Sequence, residues 1–279
     1  MQSSLQITRE SRSILTVKSA GIVAITFEDF IRFTSREENR NRITYPILHN
    51  IAMQYAFKNV HAPATRLYSY VPTYHDDFKN ATIPYYLYPA VPSRTIHEFN
   101  GKLSCDDETF APSTNVIFGW QDDFYRSPGV KERQKYNMLA FNYISMIDPE
   151  TTFITFFTSS DSFDNLHFPS TIRIGKQGGK ASVIVQECRF KMNPGQNYFD
   201  WFLNDYDLPP SMKIGRDYTV LKIKKMEPCS LIKRVKFHHP IDHVRITVPE
   251  NFWESIHVNN HFKDATIDIP VCSHLIKPL

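Results

Sequence analysis

The chain predicts an α+β fold that opens as a ferredoxin-like unit and continues into a β-rich C-terminal portion. Three observations carry this prediction. Residues 20–33 (AGIVAITFEDFIRF) alternate as a strand and lead toward a segment of helical period, the β-then-α opening of such a unit. Residues 151–158 (TTFITFFT) form a dense β-branched and aromatic run. Beyond Tyr218, two alternating arms flank Glu227-Pro228-Cys229-Ser230 and read as a β-ribbon.

The elements follow in order. The first strand loses its alternation near Glu28 and Asp29, and residues 35–42 (SREENRNR) form a charged connector. Residues 46–57 place Ile47, Ile51, Tyr55, Leu48 and Ala52 on one helical face, with Pro46 suited to the first turn. The stretch 71–94 holds Pro72, Pro84, Pro89 and Pro92 among many tyrosines. Proline removes ladder donors, so this stretch is expected to be an extended edge or a protruding excursion. Residues 100–112 read as a loop, 115–125 as extended, and 126–131 (RSPGVK) as a basic turn. Residues 136–147 fit strand or helix. Ile172–Ile174 and 181–190 read as paired strands, and 193–210 as a linker ending in Leu208-Pro209-Pro210. The expected division is a domain over 1–192, with a Tyr/Pro-rich insertion at about 71–130, and a β-rich portion over 193–279 with a basic hairpin.

At 279 residues the chain can bury one large or two small cores. Hydrophobic residues make up 42% and charged ones 22%, which excludes a disordered class. A net charge of +3 by itself predicts no polyanion partner, but its distribution leaves a local basic excess that can serve as an electrostatic footprint for phosphates. Lys213, Arg216, Lys222, Lys224, Lys225, Lys233, Arg234, Lys236 and Arg245 face only Asp217, Glu227 and Asp242 in the same stretch. The four cysteines stand singly with no Cys-x-x-Cys pair, against a structural zinc site and against a secreted disulfide framework. The start MQSSLQITRESRS has no apolar signal core, and no apolar run approaches a bilayer span. A cytoplasmic protein with no membrane partner and no cofactor is expected.

The most pointed motif is IRIGKQGGKASVIV at 172–185. Glycine lacks the Cβ that keeps a ligand from the backbone and tolerates positive φ. Gly175, Gly178 and Gly179, with Arg173, Lys176 and Lys180 beside them, make a candidate phosphate cradle. A nucleotide-triphosphate loop is excluded. Only three residues separate Gly175 from Gly179, Ala181 replaces the metal-binding hydroxyl, and a strand follows instead of a helix. A solvated hairpin turn fits the same residues.

Other chemistry is thinner. His239/His243 and His257/His261 recur at i, i+4, but Pro240 opposes a helix in the first pair. In a strand such residues stand about 13 Å apart, too far to share an ion. No Gly-x-Ser-x-Gly elbow occurs. Tyr45, His49 and Lys176 are a conceivable acid–base set. Phosphate binding without chemistry draws on Arg36, Arg40 and Arg42 after the first strand, Arg94 after the tyrosine-rich stretch, and the glycine turn. Arg36, Arg40 and Arg42 also suit a solvated charged loop paired with Glu37 and Glu38.

Several segments in order carry a resemblance: FTSRE at 33–37, HNIAMQYAF at 49–57, YPAVPSR at 88–94, IDPETTF at 147–153, and IRIGK at 172–176 with Lys180-Ala181. Over roughly residues 20–190 the chain resembles the crRNA 5′-handle-binding subunit of type I-D CRISPR effectors (Cascade), one of the RAMP proteins. The resemblance implies a ferredoxin-like (RRM-like) domain with a glycine-rich loop, a thumb hairpin and a variable C-terminal β portion. It implies antiviral defence by capping the 5′ handle of crRNA, touching the backbone RAMP subunits and the large subunit, near PAM-proximal target DNA. Ser35 and Arg36 then fall where handle phosphates lie, with Gly175, Lys176 and Lys180 on the loop. Tyr85, Tyr86 and Tyr88 are candidates for the thumb or a partner contact. Lys131, Lys222, Lys224, Arg234 and Lys236 are further candidates for partner or DNA contact. Gln177 departs from the bulkier apolar residue of the family loop. In a related subtype the equivalent subunit cuts precursor RNA, whereas type I-D systems use a separate processing subunit. Binding without catalysis is expected here, and a metal-independent endoribonuclease is the alternative.

Overall fold

The computed structural model describes residues 17–32, 36–38, 41–61, 77–78, 81–106, 113–120, 139–175, 178–204, 207–208, 211–226, 229–256 and 262–271. The chain opens with β1 (Ser19–Phe27), β2 (Arg36–Glu38), β3 (Asn41–Ile43) and helix α1 (Asn50–Ala56). Next come β4 (Tyr86–Leu87), β5 (Val91–Pro92), β6 (Ile96–Phe99), β7 (Lys102–Cys105), β8 (Ser113–Trp120) and β9 (Leu139–Met146). β10 (Thr152–Ser159), β11 (Thr171–Ile174) and β12 (Gly179–Glu187) complete the first half. The second half holds β13 (Arg189–Phe199), β14 (Leu203–Asn204), β15 (Tyr218–Lys224), β16 (Leu231–Val248), helix α2 (Glu250–Ser255) and β17 (Ala265–Pro270). The fold is therefore α+β and strongly β-rich.

The first sheet runs β11-β12-β1-β10-β4, with β5 also on β10 and every pairing antiparallel. Its central strands are buried on both faces, so they read as nearly continuous apolar runs. Strand alternation sorts their side chains into two cores. Val23, Ile25, Phe27, Phe153 and Phe157 face a cluster with Met53 and Phe57. Ile22, Ala24, Ile154 and Phe156 face a second cluster shared with Trp201, Val244, Ile246 and Trp253. That second core draws on both sides of position 192 and stacks the sheets on each other.

The second sheet runs β13-β16-β17-β7-β6, with β14 and β15 also paired to the long β16. A third, β2-β3-β9-β8, is built around the β8–β9 hairpin, whose connection at 121–138 lies outside the described residues.

Several expectations are corrected. The 193–210 stretch is not a linker: Trp201, Phe202 and Leu203 are fully buried, and the Trp201 indole N–H donates to the Pro89 carbonyl at 2.9 Å. Its Asn-Pro-Gly run is a bulge in β13, where the register to β16 shifts between Asn193 and Tyr198 and Gly195 takes φ 93°. The expected loop at 100–112 contains β7, because Asn100 (φ 52°) and Gly101 (φ 74°) make a two-residue turn closing the β6–β7 hairpin. The ambiguous 136–147 segment is a strand, β9. The charged connector includes the short β2–β3 hairpin.

The tyrosine-rich stretch does form edge strands, but Tyr85, Tyr86 and Tyr88 do not protrude. They are 0–1% exposed. Tyr85 packs 4.1 Å from the Phe168 ring, and the Tyr88 hydroxyl donates to the Pro270 carbonyl at 2.6 Å. Tyr86 donates to the buried Asp207 carboxylate, which Asn50 also reaches at 3.0 Å. Each ring buries its apolar body and satisfies its hydroxyl, which suits a tyrosine joining layers rather than one offered to a partner.

Helix α1 begins at Asn50, later than expected. His49 caps it: its Nδ1 accepts the Ile51 N–H at 3.2 Å. Ala52 is exposed and Met53 buried in its place. No helix among the described residues is long and apolar enough to cross a membrane.

Candidate nucleic-acid interface

The glycine motif is a tight turn between β11 and β12. Arg173 pairs with Lys180 and Ile174 with Gly179, and the Gly178 N–H donates to the Gly175 carbonyl at 3.0 Å. Gly175 and Gly178 have φ of 83° and 64°, a region costly for other residues. The three glycines serve different needs. A Cβ on Gly175 would stand 2.9 Å from the Arg32 carbonyl oxygen, and one on Gly179 2.2 Å from Ile31 Cδ1. Around Gly178 there is open space. Two glycines thus admit the chain's own segment after β1, and one leaves the rim of the turn bare.

That segment also changes the local charge. The Lys180 ammonium pairs with Glu28 at 2.7 Å, and the Lys180 N–H donates to the Asp29 carboxylate at 3.2 Å. Both ends of the Lys180–Glu28 pair are near half exposed, so it is worth about 0–1 kcal/mol. Arg173 is exposed and donates to the Gly178 carbonyl at 3.0 Å, which holds its guanidinium over the turn.

The expected cations converge through topology. β1 ends at Phe27 beside Ala181 of β12, while β10 begins at Thr152 beside Thr26. β5 ends at Pro92, opposite Phe153. The glycine turn, the segment after β1 and the exposed Arg94 therefore leave the first sheet at one end. Arg94 lies across three strand spacings, about 14 Å. Ile31 makes an antiparallel bridge to Ile147, with N–H···O distances of 3.0 and 2.8 Å, at the root of the β8–β9 arm. Arg36 lies on β2 and Arg42 on β3, where Arg42 pairs with Ile144 of β9. Ser35, Arg40, Lys131 and Lys176 lie outside the described residues.

Two residues of this end escaped the sequence reading. Phe30 is 49% exposed beside the turn, a flat surface for stacking. Arg32 is half-buried, and its Nε has no hydrogen-bond partner among the described residues. The irregularity at Glu28–Asp29 was the one signal that the chain turns outward here.

Lys222, Lys224, Arg234 and Lys236 are not brought to this end. They also divide. Lys222 and Lys224 are half-buried, with the Lys224 ammonium 4.4 Å from the Tyr45 ring centroid, whereas Arg234 and Lys236 are exposed. Arg234 takes φ 56°, yet the expected alternation holds around it, with Lys233, Val235 and Phe237 buried and Arg234 and Lys236 exposed.

The acid–base candidates are separated as well. His49 is buried, and burial lowers its pKa to about 4, with the hydrogen bond to the Cys229 carbonyl opposing. Because Nδ1 accepts from the backbone, the proton sits on Nε2, which donates toward the Cys229 carbonyl at 3.1 Å. That ring is a helix cap. His239 is exposed, while His243 is buried with Nε2 3.4 Å from Asp268. No group of three His, Cys, Asp or Glu side chains among the described residues could hold a metal ion, and His257 and His261 lie outside them.

The whole arrangement offers a bare glycine rim, a fixed guanidinium, further arginines at the same sheet end and an exposed phenylalanine. Such a set suits a nucleic-acid backbone. No curated protein matches the chain. A family model described as type I-D CRISPR-associated protein Cas5/Csc1 matches residues 19–263, from the first residue of β1 to just short of β17. The match extends well past residue 190, where the resemblance read from motifs stops. The chain belongs to the type I-D CRISPR-associated Cas5/Csc1 family, subunits of the type I-D effector complex.

Proposed function

We propose that this subunit binds and caps the 5′ handle of crRNA without cutting it. The observation that carries the reading is the convergence of the glycine turn, Arg173, the β1–β2 segment and Arg94 on one end of the first sheet. The open rim at Gly178 admits a phosphate, and Arg173 stands over it. Phe30 supplies a stacking surface beside it. The strand order β12-β1-β10-β4, with α1 between β1 and β4, supports a ferredoxin-like core in this reading. In it, residues 160–170, whose Phe163 and Phe168 pack near Phe157, replace the second helix. As part of the complex the subunit meets the backbone and large subunits and lies near PAM-proximal DNA. His49 supports the non-catalytic reading, since its accessible proton chemistry is spent on a helix cap.

The test is RNA retention. Protein co-expressed with its complex should carry a discrete small RNA. Arg173→Glu combined with Lys176→Glu should strip it and reduce the slope of log affinity against log salt by about 1.4, at ~0.7 per phosphate contact on a single strand. Unchanged RNA occupancy would overturn the site. Labelled repeat RNA incubated in EDTA should stay intact; cleavage would return the subunit to the endoribonuclease class.

A further inference from the structure

β15 and the turn that feeds it carry a surface the handle reading does not use. Ile214, Leu221 and Ile223 are 57%, 72% and 54% exposed. The ladder to β16 explains why. Tyr218 pairs with Phe237 and Val220 with Val235, and Tyr218, Val235 and Phe237 are core residues. Thr219 pairs with the exposed Lys236. Strand alternation therefore turns Leu221 and Ile223 to solvent as a fixed pair.

The rim of this patch is basic. Lys213 precedes β15, Lys225 follows it and Lys236 lies across the ladder, all three exposed. The nearby carboxylates are already engaged, Asp217 by Arg216 at 2.7 Å and Asp200 by Arg234 at 3.4 Å.

We propose that this face docks a neighbouring protein subunit through a patch of aliphatic side chains ringed by Asp and Glu. The charge selects the partner. A second copy of the chain would set lysines against lysines, a device that keeps strand surfaces apart. Leucine and isoleucine offer no π-face, and the exposed Tyr198 ring lies on the far side of Lys236 from them, so base stacking does not account for the aliphatic pair. An acidic, aliphatic protein surface satisfies both features together. The inference rests on membership of an effector complex, not on the handle site.

Zero-length carbodiimide crosslinking of the assembled complex tests it, because that reagent joins a lysine amine to a carboxylate. Crosslinks are expected from Lys213, Lys225 or Lys236 to Asp or Glu of another subunit. Leu221→Glu with Ile223→Glu should lower co-purification of that subunit at least tenfold. Charge reversal of the three lysines should do the same, guarding against a folding defect in the first variant. Thermal melting of the isolated lysine variant should be unchanged. Crosslinks confined to this chain, or full assembly in both variants, overturn the proposal. So does assembly through this face that nuclease dissolves, which would assign it to nucleic acid. Failure of the handle reading shows separately, as RNA retained after Arg173 and Lys176 are reversed.

Discussion

Gly175 and Gly178 sit three residues apart in one turn, both with positive φ, and a single methyl group separates their roles. Gly178→Ala meets nothing within 4 Å and bears only the left-handed backbone cost, about 1–2 kcal/mol. Gly175→Ala bears the same cost, and its Cβ also meets the Arg32 carbonyl at 2.9 Å. A backbone oxygen cannot rotate aside, and the adjoining Ile31–Ile147 bridge resists displacement of the segment. Overpacking of that kind adds about 1–3 kcal/mol. Gly175→Ala is therefore expected to be less stable than Gly178→Ala by about 1–3 kcal/mol. Urea unfolding at constant slope reads this difference as a lower midpoint. Equal midpoints for the two variants would refute the claim that the turn is packed against the segment after β1. RNA retention separates the roles further: Gly178→Glu, with open space for its side chain, should lose RNA if the proposed handle site is right, because it places a carboxylate on the rim proposed to hold a phosphate.

Two further outcomes follow from buried polar groups. Asp207→Ala should cost about 3 kcal/mol, because it removes the acceptor of the Tyr86 O–H, whose oxygen keeps only the Asn50 amide, and of the Asn204 N–H, which donates to Asp207 at 2.5 Å, inside a fully buried network; a urea midpoint indistinguishable from the parent protein would contradict this. His49 predicts an acid-sensitive fold. Its folded pKa of about 4 lies below the ordinary 6.5, so the unfolded chain holds the extra proton between those values. Stability from this group is complete above pH 6.5 and falls by about 3 kcal/mol as pH drops to 4. His49→Asn, which keeps a capping acceptor, should flatten that part of the pH–stability curve; a curve of unchanged slope would show that His49 titrates normally.

Much of the first sheet was legible because its signals are local. The runs at 20–27 and 152–158 are so apolar and β-branched that no other element suits them, and the glycines at 175–179 mark a turn by their own backbone freedom. The Asn100–Gly101 hairpin turn is legible only as part of a loop, because the polar residues around it suit a loop equally well. Asn193-Pro194-Gly195 misled in the opposite sense. These residues break a strand when alone, yet here β16 pairs on both sides of them and turns the break into a bulge. The tyrosines at 85–88 show the same limit. Proline density correctly placed them at an edge, but nothing in the sequence shows that β17, Asp207 and Phe168 cover them.

By itself the sequence determined the β-rich class, the position of the glycine turn, and the candidate cations. These depend on the period of the side chains, on backbone freedom and on formal charge, all of which belong to short stretches of chain. Only the tertiary structure decided what surrounds each group. It placed Glu28 and Asp29 against Lys180, filled the space beside Gly175 and Gly179 with the segment after β1, and gathered Arg94 to the same sheet end. It also split the basic ribbon, sending Lys224 to Tyr45 and leaving Lys236 beside exposed aliphatics. Such contacts join residues far apart in the chain, and their energy depends on distance and burial, which no local pattern encodes.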